Sequence, residues 1–344
     1  MAKKMLHLMA LMLFLKVNYA GAAVILQYHH VSEKLPPVTS ISAEQFTEHM
    51  DYLRKGNFNV IALDEMLKTL QAGKNLPAKS VAITLDDGYN NNIEQAAPIL
   101  EKFGFPYTIF VNPKLIDEQQ HYLMSWEQLR KLSKKGALIA NHSAKHDYLH
   151  QHLEGETQEQ WHDRIAKDIT WSEQRIASEV GHNAKLLAYP YGEFSKELQN
   201  LVRSLGFVGI GQHSGAVGKF TDFTRVPRFP ASGIYAALST LSVKLNSHPF
   251  DINKLSYEDS VSTNKQPTLL IDFKDRQFSQ HQFTCYVSGQ GIATTKWLTQ
   301  KQVSISAKQS LPTGRSRYNC TAPLNSGQSN EFYWFSQPWV VTSQ

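Results

Sequence analysis

Thr84-Leu85-Asp86-Asp87-Gly88-Tyr89 is the stretch whose reading decides the architecture. The run Val81 to Leu85 is apolar or β-branched, as suits a buried strand, and Gly88 lets the chain turn just after the two acids. Adjacent carboxylates at the end of a core strand are costly to desolvate unless a cation or a reaction uses them. The catalytic part of the chain is therefore expected to be organised around this pair.

Working outward, the same kind of unit recurs. Ala23 to Gln27, Asn59 to Ala62, Tyr107 to Val111, Ala137 to Ala140, Lys185 to Ala188 and Phe207 to Gly211 read as strands, with amphipathic helical stretches between them. Ser42 with Gln45 and Ser125 with Gln128 have capping-box spacing, Asp64 and Ser195 are further N-caps, and Gly73, Gly104, Gly136, Gly181 and Gly206 stop helices. Strand–helix units of roughly 25–40 residues argue for a parallel α/β domain. A distorted (β/α) barrel is expected, with an open doubly wound sheet as the alternative. Every unusual polar cluster follows a strand and precedes a helix, where such folds carry their sites. No P-loop or Gly-x-Gly-x-x-Gly follows any strand, which argues against nucleotide use.

The totals bound the rest. At 344 residues, 42% apolar and 19% charged, the chain has room for one large domain and a smaller one. The formal charge of +5, partly on Lys3, Lys4 and Lys16, is too small to point to nucleic acid. Lys3-Lys4, the apolar run Met5 to Leu15 and Ala20-Gly21-Ala22 predict a signal peptide over 1–22, with an uncleaved anchor as the alternative. No later run approaches a transmembrane helix, so an exported mature protein, periplasmic or extracellular, is expected. Residues 23–245 form the catalytic domain on this view, and 246–266, mixing Ser, Asn, Pro and charge, form a linker.

Residues 267–344 carry the short β-type runs Thr268 to Phe273, Gln282 to Val287, Gln302 to Ala307, Glu331 to Phe335 and Trp339 to Thr342, as in a small all-β sandwich. Cys285 and Cys320 are expected to pair in an oxidising compartment, two unpaired thiols being the alternative. Tyr333, Trp334, Phe335 and Trp339 would suit stacking on sugar rings, but filling a small sandwich core is the favoured reading for any one of them.

Asp87 with His142 and His146 makes a facial set of one carboxylate and two imidazoles, which leaves positions open on a catalytic metal. No glutamate lies between the two histidines as in the zinc-protease helix motif. Asp86 cannot approach the same ion in the same way, because neighbouring side chains on an extended segment diverge, and it is placed to act as a base on a metal-acidified water. Each feature has a bland counterpart. Asp-Asp-Gly is a common turn, and among 14 histidines some chance spacing is expected. Both clusters at strand ends of one sheet are the stronger signal.

Thr-Leu-Asp-Asp-Gly at 84–88, His-Ser-x-x-His at 142–146 and Tyr-Pro-Tyr-Gly at 189–192 resemble the motifs of the NodB-homology polysaccharide deacetylases, carbohydrate esterase family 4. The resemblance spans roughly residues 24–235. It implies a distorted βα barrel and metal-dependent hydrolysis of N-acetyl groups on an amino-sugar polysaccharide of the envelope or biofilm matrix. In this family Asp86 would be the general base, and Asp87, His142 and His146 would hold a divalent metal, zinc first, with Co2+, Ni2+ or Fe2+ as others. Tyr189, Pro190 and Tyr191 would meet substrate, the Tyr191 N–H helping to hold the oxyanion. Leu26-Gln27-Tyr28-His29-His30-Val31 resembles the start of the poly-β-1,6-N-acetylglucosamine deacetylase subgroup, which implies a circularly permuted barrel and His29 as general acid, with the late His248 as alternative. Many members carry an Arg where this chain has Ala188; Arg225 and Arg228 either supply that charge beside Asp86, Arg228 then joining the substrate site, or are ordinary surface arginines. The competing functions are an O-acetyl esterase acting on xylan-type polymers and a non-catalytic glycan-binding envelope protein.

Overall fold

The strand Ser80–Leu85 is buried at all 6 residues and lies inside a parallel sheet. On one side it pairs with Ala23–Tyr28, Leu26 opposite Ile83, and on the other with Thr108–Val111. Leu138–Asn141, Leu186–Ala188 and Val208–Ile210 follow in chain order, and Phe229–Pro230 flanks Ala23–Tyr28. With Asn59–Val60, which also pairs with Ser80–Leu85, the sheet has 8 strands. The computed structural model describes residues 22–324 and 330–343, so the leader expected over 1–22 falls, but for Ala22, outside the described residues.

The sheet curls. The Gly211 N–H donates to the Val226 carbonyl at 2.8 Å, while Leu26 pairs with Phe229 a few residues on, so one segment meets both edges. Strand order follows the chain from Ser80–Leu85 to Val208–Ile210 without the reversal of a doubly wound sheet. A distorted barrel is the result. Period-2 alternation sends Val81, Ile83 and Leu85 into one core cluster with Phe46 and Met50, and Ala82 into another with Phe110, Ala140, Ala188 and Ile210.

Most helix starts follow the anticipated chemistry. Ser125 and Gln128 make a reciprocal capping box, and Ser42 accepts from the Gln45 N–H at 3.0 Å. The long helix Gln158–Val180 begins at a Thr157–Gln160 box and ends at Gly181, whose φ of 80° is left-handed. Asp64 is not a cap: Leu63–Gln71 is capped two residues earlier, at Ala62, and Asp64 sits in the first turn, where its charge favours the helix dipole.

The C-terminal part is all-β. One sheet orders Ser247–His248, Phe332–Val341, Gly314–Pro323, Thr284–Val287 and Gly291–Ile292; the other orders Ile252–Ser256, Leu269–Phe273, Gln302–Ser306 and Thr294–Trp297. Residues 246–266, expected as a linker, thus supply strands, because their backbones find edges to pair with. Gly314–Pro323 was not anticipated either: its inward residues include Ser316, Tyr318, Cys320 and Ala322, which blur the apolar alternation. Cys285 and Cys320 stand directly opposite each other and are joined by a disulfide. Tyr333 and Trp339 are buried, and Trp334 meets Phe229 edge-on at 5.2 Å, so these aromatics fill the core and the contact with the barrel. Arg225 ties the two regions together through Gln337 Oε1 at 2.7 Å and the Tyr257 hydroxyl at 3.1 Å. Among the described residues no helix is long and apolar enough to cross a membrane.

Candidate metal centre

The two acids after Leu85 part company because of the backbone. Asp87 has φ 71°, in the left-handed region, so the chain turns sharply and the neighbouring carboxylates face different partners. The turn continues at Gly88, φ 69°, where a Cβ would sit 3.0 Å from Val111 Cγ1. The expectation from an extended segment thus reaches the same divergence by a different route.

Asp87 Oδ1 lies 3.3 Å from His142 Nε2 and 3.5 Å from His146 Nε2. One ligand atom from each of the three lies within 4.8 Å of the others, the only such group among the described residues. His142 is fully buried and its Nδ1 is 2.7 Å from the Ala188 carbonyl. A carbonyl can only accept, so Nδ1 carries a proton and Nε2 is the atom turned to Asp87; burial lowers this imidazole, but the Asp87 and Asp86 carboxylates outweigh it and hold it above its ordinary value. That Nε2 has no hydrogen-bond partner. A ring nitrogen and a carboxylate oxygen facing each other need a proton or a metal cation between them, and with His146 Nε2 converging on the same oxygen the donor set fits a divalent metal. His146 reaches the cluster from a left-handed backbone, φ 64°, its N–H bonded to Ser143 Oγ at 3.0 Å. Burial and the neighbouring His142 push its imidazole down to about 4, which keeps it neutral. Asn112 braces the loop by donating to the carbonyls of His142 at 2.5 Å and Ser143 at 3.2 Å.

Asp86 is fully buried on the other side of the turn. Arg228, itself 0% exposed, donates to Asp86 Oδ1 at 2.7 Å and Oδ2 at 2.8 Å, and Gln27 donates to Oδ2 at 2.7 Å. Burial alone would raise the Asp86 carboxyl; the guanidinium charge outweighs it and holds the group below its ordinary value. His29 Nε2 stands 3.9 Å from Oδ2, half-buried. Of the two candidate arginines, then, Arg228 sits on Asp86 and Arg225 on the β region. Gln27 was missed by sequence reasoning, though a lone amide in an apolar, buried strand was the available signal.

The Tyr-Pro-Tyr loop divides. Tyr189 is 0% exposed and donates its hydroxyl to the Thr224 carbonyl at 2.7 Å; Pro190 is buried too, so neither side chain opens to the site. Tyr191, with φ 60°, sets its ring against His146 at 4.4 Å and stacks on Tyr148 at 4.1 Å. Tyr148 also went unnoticed in the sequence. His248 is ion-paired with Glu331 at 3.4 Å, on the β region. A cavity of about 790 Å3 lies between barrel and β region and is lined by none of Asp86, Asp87, His142 or His146, so it marks no catalytic site.

A carboxylate and two imidazoles beside a second, clamped carboxylate, at the carboxyl ends of parallel strands, are the groups that metal-assisted hydrolysis uses. Residues 73–210 match the polysaccharide deacetylase family model. The chain is 26% identical over 207 residues to YxkH of Bacillus subtilis, named for the same family, covering 60% of this chain and 70% of that one. It is 25% identical to a poly-β-1,6-N-acetyl-D-glucosamine N-deacetylase of Staphylococcus aureus, covering 62% of this chain and 80% of that one. The Escherichia coli enzyme of that name is 21% identical, and the match covers 60% of this chain but only 36% of the longer relative. In fold, Streptococcus pyogenes deacetylase PplD superposes with a TM-score of 0.59 at 18% identity, over 66% of this chain and 99% of that one.

Proposed function

We propose that this chain hydrolyses N-acetyl groups on an amino-sugar polysaccharide of the envelope or biofilm matrix. The observation that carries this is the partnerless buried Nε2 of His142, aimed at Asp87 beside the clamped Asp86, within the segment matched by the deacetylase family. A divalent cation held by Asp87, His142 and His146, zinc being the first choice for this donor set, would polarise the acetyl carbonyl and acidify a water.

The chain's own groups do the rest. Asp86 takes the proton of the attacking water. Its basicity is low, so what Arg228 and Gln27 supply is a fixed carboxylate orientation. The Tyr191 N–H holds the developing oxyanion, and His29, close to Asp86 yet reachable from solvent, protonates the departing amine. The relatives named for poly-β-1,6-N-acetylglucosamine make that polymer the first to try. On the same proposal residues 1–22 are a secretory leader, 23–245 the deacetylase domain, 246–266 its connection and 267–344 the β domain, in an exported protein.

The test is acetate release from a panel of acetylated glycans after chelation and return of a defined metal. Metal-restored release from N-acetylglucosamine polymers supports the proposal. Release confined to acetylated xylan would make the chain an O-acetyl esterase, and binding with no release under any metal would make it a glycan binder.

A further inference from the structure

The β region reaches the rim of the metal centre. Arg315, on the strand Gly314–Pro323, has its guanidinium 5.9 Å from the centre of the Tyr191 ring. Its Nη1 is 3.4 Å from the Tyr191 carbonyl oxygen and its Nε 3.6 Å from Glu193 Oε1. Glu193 is held in place from the other side by His150 at 2.7 Å, with both side chains buried. The Arg315 contacts are long for a guanidinium, and its side chain is 61% exposed, so most of its donors are free to meet a ligand. A cavity of about 150 Å3 opens between the Tyr191–Phe194 loop and this strand.

We propose that Arg315 and the stacked Tyr191–Tyr148 pair form a subsite for the sugar unit next to the one being deacetylated. The aromatic faces take the apolar face of the ring, and the guanidinium donates to the neighbour's acetamido carbonyl and hydroxyl oxygens. The Arg315 charge, paired to Glu193 only loosely at 3.6 Å, also sets a preference: an acetylated neighbour is accepted, while an already deacetylated one carries an ammonium that the guanidinium disfavours. The subsite is preformed, because Arg225 on Gln337 and the Lys196 N–H on Asp259 lock the β region to the barrel. This deepens the deacetylase proposal and rests on it.

The test compares Arg315→Ala and Arg315→Lys with the unaltered full chain on two tetramers: fully N-acetylated, and carrying one free amine beside the reacting unit. Arg315→Ala is expected to raise KM for the acetylated tetramer about fivefold, with the loss in KM rather than kcat, and to erase the discrimination against the amine. Arg315→Lys should retain the discrimination. A structural role through Tyr191 would instead lower kcat and leave the acetyl-to-amine ratio unchanged, which overturns the proposal. Binding of the acetylated tetramer to Asp86→Asn, with and without Arg315→Ala, is followed by intrinsic fluorescence and does not depend on turnover. About fivefold weaker binding in the double variant supports the subsite even if no acetate is ever released; equal binding, or none to either, overturns it.

Discussion

Replacing Arg228 by Met tests what holds the centre together. Arg228 spends its donors on buried acceptors: Nε on the Gly211 carbonyl at 2.9 Å, Nη1 on Thr84 Oγ1 at 3.1 Å and Asp86 Oδ1, and Nη2 on Asp86 Oδ2. Methionine fills similar space but leaves Asp86 buried with Gln27 as its remaining close donor. Removing one member of a buried pair costs about 3–5 kcal/mol, because the stranded charge keeps its desolvation penalty. For a domain of this size that lowers the unfolding midpoint by about 10 °C. The assay is thermal or urea unfolding in the presence of a chelator, so that metal affinity does not enter. Asp86→Asn strands the Arg228 charge in turn, but the guanidinium keeps the Gly211 carbonyl and Thr84 Oγ1 as acceptors, so it should cost less, and Arg228→Met on that background should cost much less than on the unaltered chain. If Arg228→Met unfolds at the unaltered midpoint, or the two substitutions simply add, the pair is not the clamp described here.

Asp86→Asn should retain stoichiometric metal and lose about 10²–10⁴-fold in kcat, whereas His142→Ala should lose the metal after dialysis; elemental analysis beside acetate release separates the two. His49, fully buried between the Tyr28 hydroxyl at 2.9 Å and the Ala236 carbonyl at 2.7 Å, has its imidazole pushed below the ordinary 6.5 by burial. Below pH 6.5 the unfolded chain takes up a proton that the folded chain refuses, so stability present above that pH is lost as pH falls, at up to about 1.4 kcal/mol per unit. His49→Gln should flatten the unfolding profile below pH 6.5, and an unchanged slope would contradict the burial argument. The disulfide closes a separation of 35 residues, so Cys285→Ala/Cys320→Ala should cost about 4 kcal/mol in urea unfolding of the β region. A loss below 1 kcal/mol would place its value elsewhere than in chain entropy.

Local chemistry was legible where the pattern is local. Capping boxes, glycine stops and apolar runs locate the strands to within a residue or two, because backbone preference and burial act on neighbouring residues. The strand Gly314–Pro323 and the strands within 246–266 were hidden for the converse reason. Their pairing is dictated by available edges in other parts of the chain, while their own composition is polar.

By itself the sequence determined that two acids end a core strand and that two histidines four apart end another, since turn residues and alternation are written residue by residue. Only the tertiary structure decided which acid meets which partner. The left-handed turn at Asp87 swings one carboxylate to His142 and His146, and closure of the barrel carries Arg228 across 142 residues of chain onto the other. The β region's approach to Tyr191 through Arg315, 124 residues away, is of the same kind: it depends on how two cores pack, which no run of neighbouring residues encodes.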